Sequence, residues 1–317
     1  MNNLLKLVTK PIYSITNIYK KSSTWGKVLF IIIIFLIAII TFKTANRKEG
    51  FEQTDKFVFK TGADVYDNFY SDIYDFLVYN NLKDDYEIGQ IINATKPTNE
   101  SIMLDIGSGT GHHVANLADK GYNVTGIDKS SAMIKKAKEN YPKYDFVQGD
   151  ATNAMQFRPE SFTHIFCLYF TIYYIKDKMT FFNNCMNWLM PGGSLVVHIV
   201  DREMFDPILP PANPLLMLTP QRYAEERITK SMVTFDDFKY NANFELNKSK
   251  DQAKFVEKFQ NKSTGKVFRK QEHVMYMETE EDILNIAKKS GFIIQGKIDL
   301  IRSGYEYQYL YIFVKPE

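Results

Sequence analysis

The segment Ser101-Ile102-Met103-Leu104-Asp105-Ile106-Gly107-Ser108-Gly109-Thr110-Gly111 constrains the fold more than any other stretch of the chain. Ile102 to Ile106 reads as a strand buried on both faces. It breaks into glycines at three alternate positions, and a helical pattern follows at Val114, Leu117 and Ala118. A glycine turn between a parallel strand and a helix lets backbone approach a ligand closely and aims helix N–H groups at it. The third glycine falls one residue too early for the G-x-G-x-x-G dinucleotide fingerprint, which counts against a nicotinamide enzyme.

Three further pieces follow in order. Val124-Thr125-Gly126-Ile127-Asp128 reads as a second strand ending in a carboxylate, where a ribose-binding acid belongs in such folds. Phe146 to Ala151 reads as a third strand ending at Asp150. Leu189 to Val197 is a Pro-Gly-Gly turn feeding another buried strand.

As an ordered set these pieces resemble the class I S-adenosylmethionine-dependent methyltransferases, from about Tyr66 to the C-terminus. The resemblance implies a Rossmann-like α/β fold: a seven-stranded, mostly parallel sheet with a C-terminal antiparallel hairpin. It implies S-adenosylmethionine as cofactor, with Asp105 and the loop residues Gly107, Ser108, Gly109 and Gly111 along its methionine part. It further implies Asp128 at the ribose hydroxyls and Asp150 near the adenine amine, with Lys129, Ala151 and Tyr66 also in the cofactor site. The family often has an acid opening the fourth strand; Phe162-Thr163-His164-Ile165-Phe166 has none.

The chain of 317 residues holds one large α/β domain with additions, or two domains. A net charge of +2 gives no general attraction to nucleic acid. Cys167 and Cys185 are too few for a disulfide framework and fall in elements that read as core. Residues 1–27 form a basic tail with five lysines and no acid, followed by fifteen uncharged residues, 28–42. As a helix that run spans about 22 Å, and Trp25 and the flanking lysines can extend it toward the roughly 30 Å of a bilayer core. It therefore reads as a single transmembrane anchor, with 43–60 as a polar linker and 61–317 as the methyltransferase domain. Lysines and arginines flank the run almost equally, so orientation rests on a slight lean toward a cytosolic catalytic domain, from the cysteines and the supply of cofactor.

Asp64 to Asn80 carries apolar residues at helical spacing with Tyr66, Tyr70 and Tyr74 four apart, a stripe that reads as core. In the methyltransferases the chain resembles, a helix before the first strand often closes over cofactor and substrate, which makes Tyr66 and Tyr70 pocket candidates. The fourth strand empties into Tyr169-Phe170-Thr171-Ile172-Tyr173-Tyr174. Tyr169 and Tyr173 are candidates for a wall around the transferred methyl group. His198, late in the fifth strand, is a candidate base or a hydrogen-bonded core residue. His112 and His113 point about 100° apart on a helix, too far apart to form a metal pair, so no metal site is expected. Pro207 to Pro220 reads as a loop. Residues 229–278 alternate as an antiparallel β-rich insertion over the pocket, and Glu280 to Ser290 reads as a helix capped by Thr279.

The function expected from the resemblance is a membrane-anchored methyltransferase acting on a small molecule or lipid headgroup, with no nucleic-acid partner. A protein methyltransferase and a non-catalytic S-adenosylmethionine-binding scaffold remain as alternatives. The sequence sets neither the methyl acceptor nor the oligomeric state.

Overall fold

The computed structural model describes residues 23–45, 57–207 and 227–317, with only the backbone given for 37–45. The proline-rich loop therefore lies largely outside the described residues, as does most of the linker. The chain divides into two units, residues 1–52 and 53–317.

The first unit contains helix α1, Thr24–Ala45. Its 22 residues would rise about 33 Å, and Leu29, Ile31 to Ile34, Phe35 and Leu36 are all exposed. The expected transmembrane segment falls here, but residues 37–42 lie outside the described side chains. Among the described residues no helix is long and apolar enough to cross a membrane. The structure thus gives the transmembrane expectation no support.

Among its described residues the second unit holds two sheets. Seven strands form the first: β2 (Ile102–Ile106), β3 (Asn123–Asp128), β4 (Asp145–Gln148), β5 (Phe162–Cys167), β6 (Leu189–Val200), β11 (Ile293–Asp299) and β12 (Gln308–Val314). Their order is β11-β12-β6-β5-β2-β3-β4. β6, β5, β2, β3 and β4 pair in parallel, whereas β12 and β11 run antiparallel at the edge. The chain order reverses between β5 and β3 on either side of β2, and ligands bind at such switch points beyond the carboxyl ends of the strands. Leu104 and Ile106 face one core with Ile165 and Val197; Met103 faces another with Val114 and Phe166.

The terminal strands form the expected antiparallel pair, joined through residues 300–307. Asp299 accepts a hydrogen bond from the Ile301 amide at 2.9 Å and starts a short 3-10 turn, with Leu300 buried beneath it. Helix α8, Glu280–Lys289, begins where Thr279 accepts from the Asp282 amide at 3.1 Å, with three acids in its first turn.

The second sheet is the β-rich insertion, β7 (Lys230–Thr234), β8 (Phe238–Asn247), β9 (Gln252–Asn261) and β10 (Val267–Tyr276), an antiparallel meander. Strand β1, Val58–Thr61, adds to it in parallel beside β10. Residues 58–60, expected to belong to the linker, therefore belong to the folded domain. The helix expected over 64–80 is interrupted. A 3-10 turn ends at Val65, and α2 runs from Asn68 to Val78 because Asp67 caps it, accepting from the Tyr70 amide at 3.1 Å. Tyr66 sits in the break. Helix α3, Asn81–Thr95, follows.

Candidate active site

The glycine loop is fastened to the tip of the neighbouring strand. The amides of Gly107 and Ser108 both donate to the Ile127 carbonyl, at 2.8 and 2.9 Å, and the Gly109 amide donates to Asp128 Oδ2 at 3.0 Å. Gly107 has φ +73°, and a side-chain carbon there would lie 2.5 Å from Thr171. Asp128 Oδ1 accepts from the Ser130 amide at 2.8 Å. Ser130 Oγ donates to the Tyr66 carbonyl at 2.6 Å, tying the segment before α2 to the strand tips. Burial raises the Asp128 carboxyl above its ordinary value, against the two amides. At Asp150, partial burial is outweighed by Lys129, 2.8 Å away, and by Thr152, which hold the carboxyl low.

These residues open onto a cavity of about 780 Å³. The seven-stranded sheet contributes Gly107, Asp128, Lys129, Asp150 and Ala151. The segment before α2 and α2 itself contribute Tyr66, Tyr70 and Tyr74, and the second sheet contributes Phe244, Phe255, His273 and Met275. Tyr169, Phe170 and Tyr174 complete the wall. A smaller cavity of about 60 Å³ lies behind the loop, lined by Asp105, Gly107, Ser108, Gly109, His113 and Lys83 among others; Gly107, Tyr74 and Tyr169 border both.

Asp105 is buried, its Oδ2 has no hydrogen-bond partner, and burial pushes its carboxyl up to about 7. His113 is pushed the other way from what burial dictates, up to about 9, by Asp84 and Glu87. Lys83 pairs with Glu87 at 2.7 Å, both buried. The ligand atoms of Asp84, Glu87 and His113 lie within 4.8 Å of one another. The Lys83 ammonium already balances Glu87 there. His112 turns away from His113, stacking on Tyr79 and pairing with Asp75 at 3.1 Å.

Three expected site residues stand elsewhere. His198 is buried and lines neither cavity: Nδ1 contacts the Tyr169 carbonyl, and the ring packs against Phe170. Burial pushes its imidazole down to about 4. Tyr173 also lines neither cavity; its hydroxyl accepts from the Val200 amide at 2.8 Å and holds the end of β6. Of the aromatic cluster, Tyr169, Phe170 and Tyr174 face the cavity, because the short helix α6, Thr171–Tyr174, turns Ile172 and Tyr173 into the core. Gly111 packs under Phe146, whose ring would lie 2.7 Å from any side-chain carbon, so it serves the contact between strand and helix.

Two residues with no role assigned from sequence stand out. Glu257 and His273 lie on the inward faces of β9 and β10, and His273 Nε2 is 2.6 Å from Glu257 Oε2. The available signal was an acid and an imidazole at inward positions of alternating strands.

Residues 104–197 match the family described as methyltransferase domain. Residues 104–197 thus carry a methyltransferase domain, on a fold shared with S-adenosylmethionine-dependent methyltransferases. Demethylmenaquinone methyltransferase from Renibacterium salmoninarum is 30% identical over 117 residues, 37% of this chain and 48% of that protein. The matches span less than half the length of such curated relatives. An S-adenosylmethionine-dependent methyltransferase from Clostridium acetobutylicum shares the domain's fold at TM-score 0.57 and 20% identity, covering 79% of this chain and 99% of that one. The amino pentose methyltransferase CalS10 from Micromonospora echinaspora, solved with S-adenosylmethionine bound, aligns at TM-score 0.54 and 17% identity, over 74% and 92%.

Proposed function

We propose that this protein transfers a methyl group from S-adenosylmethionine to a small molecule. The observation that carries the reading is one cavity with two kinds of wall: glycine backbone and strand-tip carboxylates on one sheet, aromatic side chains from the second sheet on the other. The cofactor fits this arrangement. Asp105 Oδ2 and Ser108 Oγ are buried without partners, which suits an ammonium and a hydrogen-bonding carboxylate beside the loop. Asp128 and Asp150 offer carboxylates for the ribose and the adenine amine, with Lys129 beside Asp150 and Ala151 leaving room for the ring.

The bound cofactor supplies an electrophilic methyl on a positively charged sulfur. The chain's own residues have to orient it, exclude water and align the acceptor. Tyr66, Tyr74 and Tyr174 line the cavity as a packed group, with the Tyr66 ring centroid 6.4 Å from that of Tyr74 and 5.8 Å from that of Tyr174. Their electron-rich faces suit a sulfonium.

The second sheet closes over the cavity, which favours a small acceptor over a peptide that needs an open groove. The relative named for demethylmenaquinone and the neighbour named for an amino pentose support a small-molecule acceptor. We also carry the finer reading of a membrane-attached enzyme, with the catalytic domain on the cytosolic side and a lipid headgroup as an acceptor. The exposed apolar residues of α1 support it.

Calorimetric titration of the full chain with S-adenosylmethionine, followed by transfer of labelled methyl to metabolite and lipid extracts, tests the reading. No binding removes the function, and binding without transfer supports a scaffold. Co-sedimentation with anionic vesicles tests attachment: Ile33→Lys should release the chain, and equal sedimentation of both forms removes the anchor.

A further inference from the structure

A hydrogen-bonded chain runs from the cavity into the second sheet. Glu257, fully buried on β9, accepts from Tyr70 Oη at 3.1 Å and Tyr240 Oη at 2.5 Å on one oxygen, and from Gln271 and His273 on the other. Burial alone would raise this carboxyl, but His273 and these donors hold it below its ordinary value, so it stays ionised. In the tautomer that donates from Nε2 to Glu257, His273 presents Nδ1 as an acceptor. Nδ1 meets Tyr174 Oη at 3.1 Å, and Tyr66 in turn hydrogen-bonds Tyr174. Tyr66, Tyr174 and His273 all line the cavity.

This arrangement has the form of a proton acceptor held by a carboxylate and reached from the cavity through Tyr174, which lines it together with the strand-tip acids and the apolar side chains Phe244, Phe255 and Met275. A carboxylate acceptor needs no base, and a neutral amine attacks with its lone pair. A hydroxyl must lose a proton as it attacks. We propose that His273 is the general base of this site, that Glu257 positions it, and that the acceptor is a hydroxyl on an apolar body, a phenol in particular.

The proposal rests on the methyltransferase reading. As the acceptor oxygen forms its bond to the methyl carbon, the carbon–sulfur bond breaks and its electron pair stays on sulfur, giving a neutral thioether. The hydroxyl proton passes to Tyr174 while the Tyr174 proton moves to His273 Nδ1, and the imidazolium pairs with Glu257 until the proton leaves to water. The titratable groups facing His273 are Glu257, Tyr66, Tyr70 and Tyr174, with Phe255 and Gln271 as its other neighbours.

The test uses the full chain and 4-nitrophenol, whose ionisation is read by absorbance, with and without S-adenosylhomocysteine. The bound phenol should ionise at lower pH in wild type than in His273→Gln, by about one pH unit or more, with Glu257→Gln and Tyr174→Phe in between. Turnover of a phenolic acceptor should fall on the order of 100-fold in His273→Gln, while calorimetric cofactor affinity stays within about twofold. Nitrogen chemical shifts of the His273 ring should report a proton on Nε2, and Glu257→Gln should move them, which gives a second readout if His273→Gln folds poorly. Failure of the phenol to bind, or equal ionisation of the bound phenol in wild type and variants, overturns the proposal. Failure of S-adenosylhomocysteine to bind overturns the methyltransferase reading instead, because the phenol titration runs without it.

Discussion

Asp128 Oδ2 accepts the Gly109 amide at 3.0 Å, so the carboxylate at the tip of β3 and the glycine loop after β2 form one rigid unit. A ligand that meets the loop must also meet this acid. Asp128→Ala should weaken S-adenosylmethionine binding at least about tenfold, or 1.4 kcal/mol. Gly107→Val should do the same or more, through the Thr171 clash and the positive φ. Isothermal titration checks both, and unchanged affinity in both variants would remove the loop from the cofactor site.

Asp105 gives the site a pH dependence. Its folded value of about 7 is above the ordinary 3.8, so its contribution to stability is fully present below pH 3.8 and is lost as pH rises through about 7. The loss is at most about 4 kcal/mol. Asp105→Asn should flatten this part of the curve and be the more stable form above pH 7. A cofactor ammonium beside Asp105 favours its ionised form, so binding near pH 6 should release a proton and strengthen as pH rises toward 8. Calorimetry in two buffers of different ionisation enthalpy measures that proton, and its absence in wild type would separate Asp105 from the ligand.

The glycine loop, Asp128 and Asp150 were legible in the sequence because each strand and the turn that follows it are contiguous, and the parallel pairing brings their tips together. The Thr279 cap was legible for the same local reason: its hydroxyl accepts from the Asp282 amide, three residues on, at 3.1 Å. His198 stayed open between base and core because strand position alone does not say whether a ring faces the cavity or the layer behind it. The Glu257 network was invisible for a different cause. Its partner Tyr70 is 187 residues away, and Tyr174 is 99 residues from His273. Only the docking of the second sheet brings them together.

His198 should behave as a core residue. Its folded value of about 4 lies below the ordinary 6.5, so its contribution is present above pH 6.5 and is lost as pH falls toward 4. His198→Gln should flatten the acid side of the stability curve and lower turnover only as far as it lowers the folded fraction. Thermal unfolding from pH 4 to 8 checks the first point. A selective loss of turnover at full folding would return His198 to the chemistry.

Tyr173 separates structure from catalysis on the same helix. Its hydroxyl is the acceptor for the buried Val200 amide at 2.8 Å, and Tyr173→Phe leaves that donor without a partner. The cost should be about 1–3 kcal/mol of stability, with acceptor KM and the pH profile unmoved. Tyr174→Phe, one residue on, should do the reverse: a small effect on unfolding and a large one on the pH dependence of turnover, since Tyr174 Oη reaches His273 at 3.1 Å. Denaturant titration and a pH–rate profile on both variants distinguish the two hydroxyls. Equal behaviour would mean that α6 does not divide its tyrosines between core and cavity.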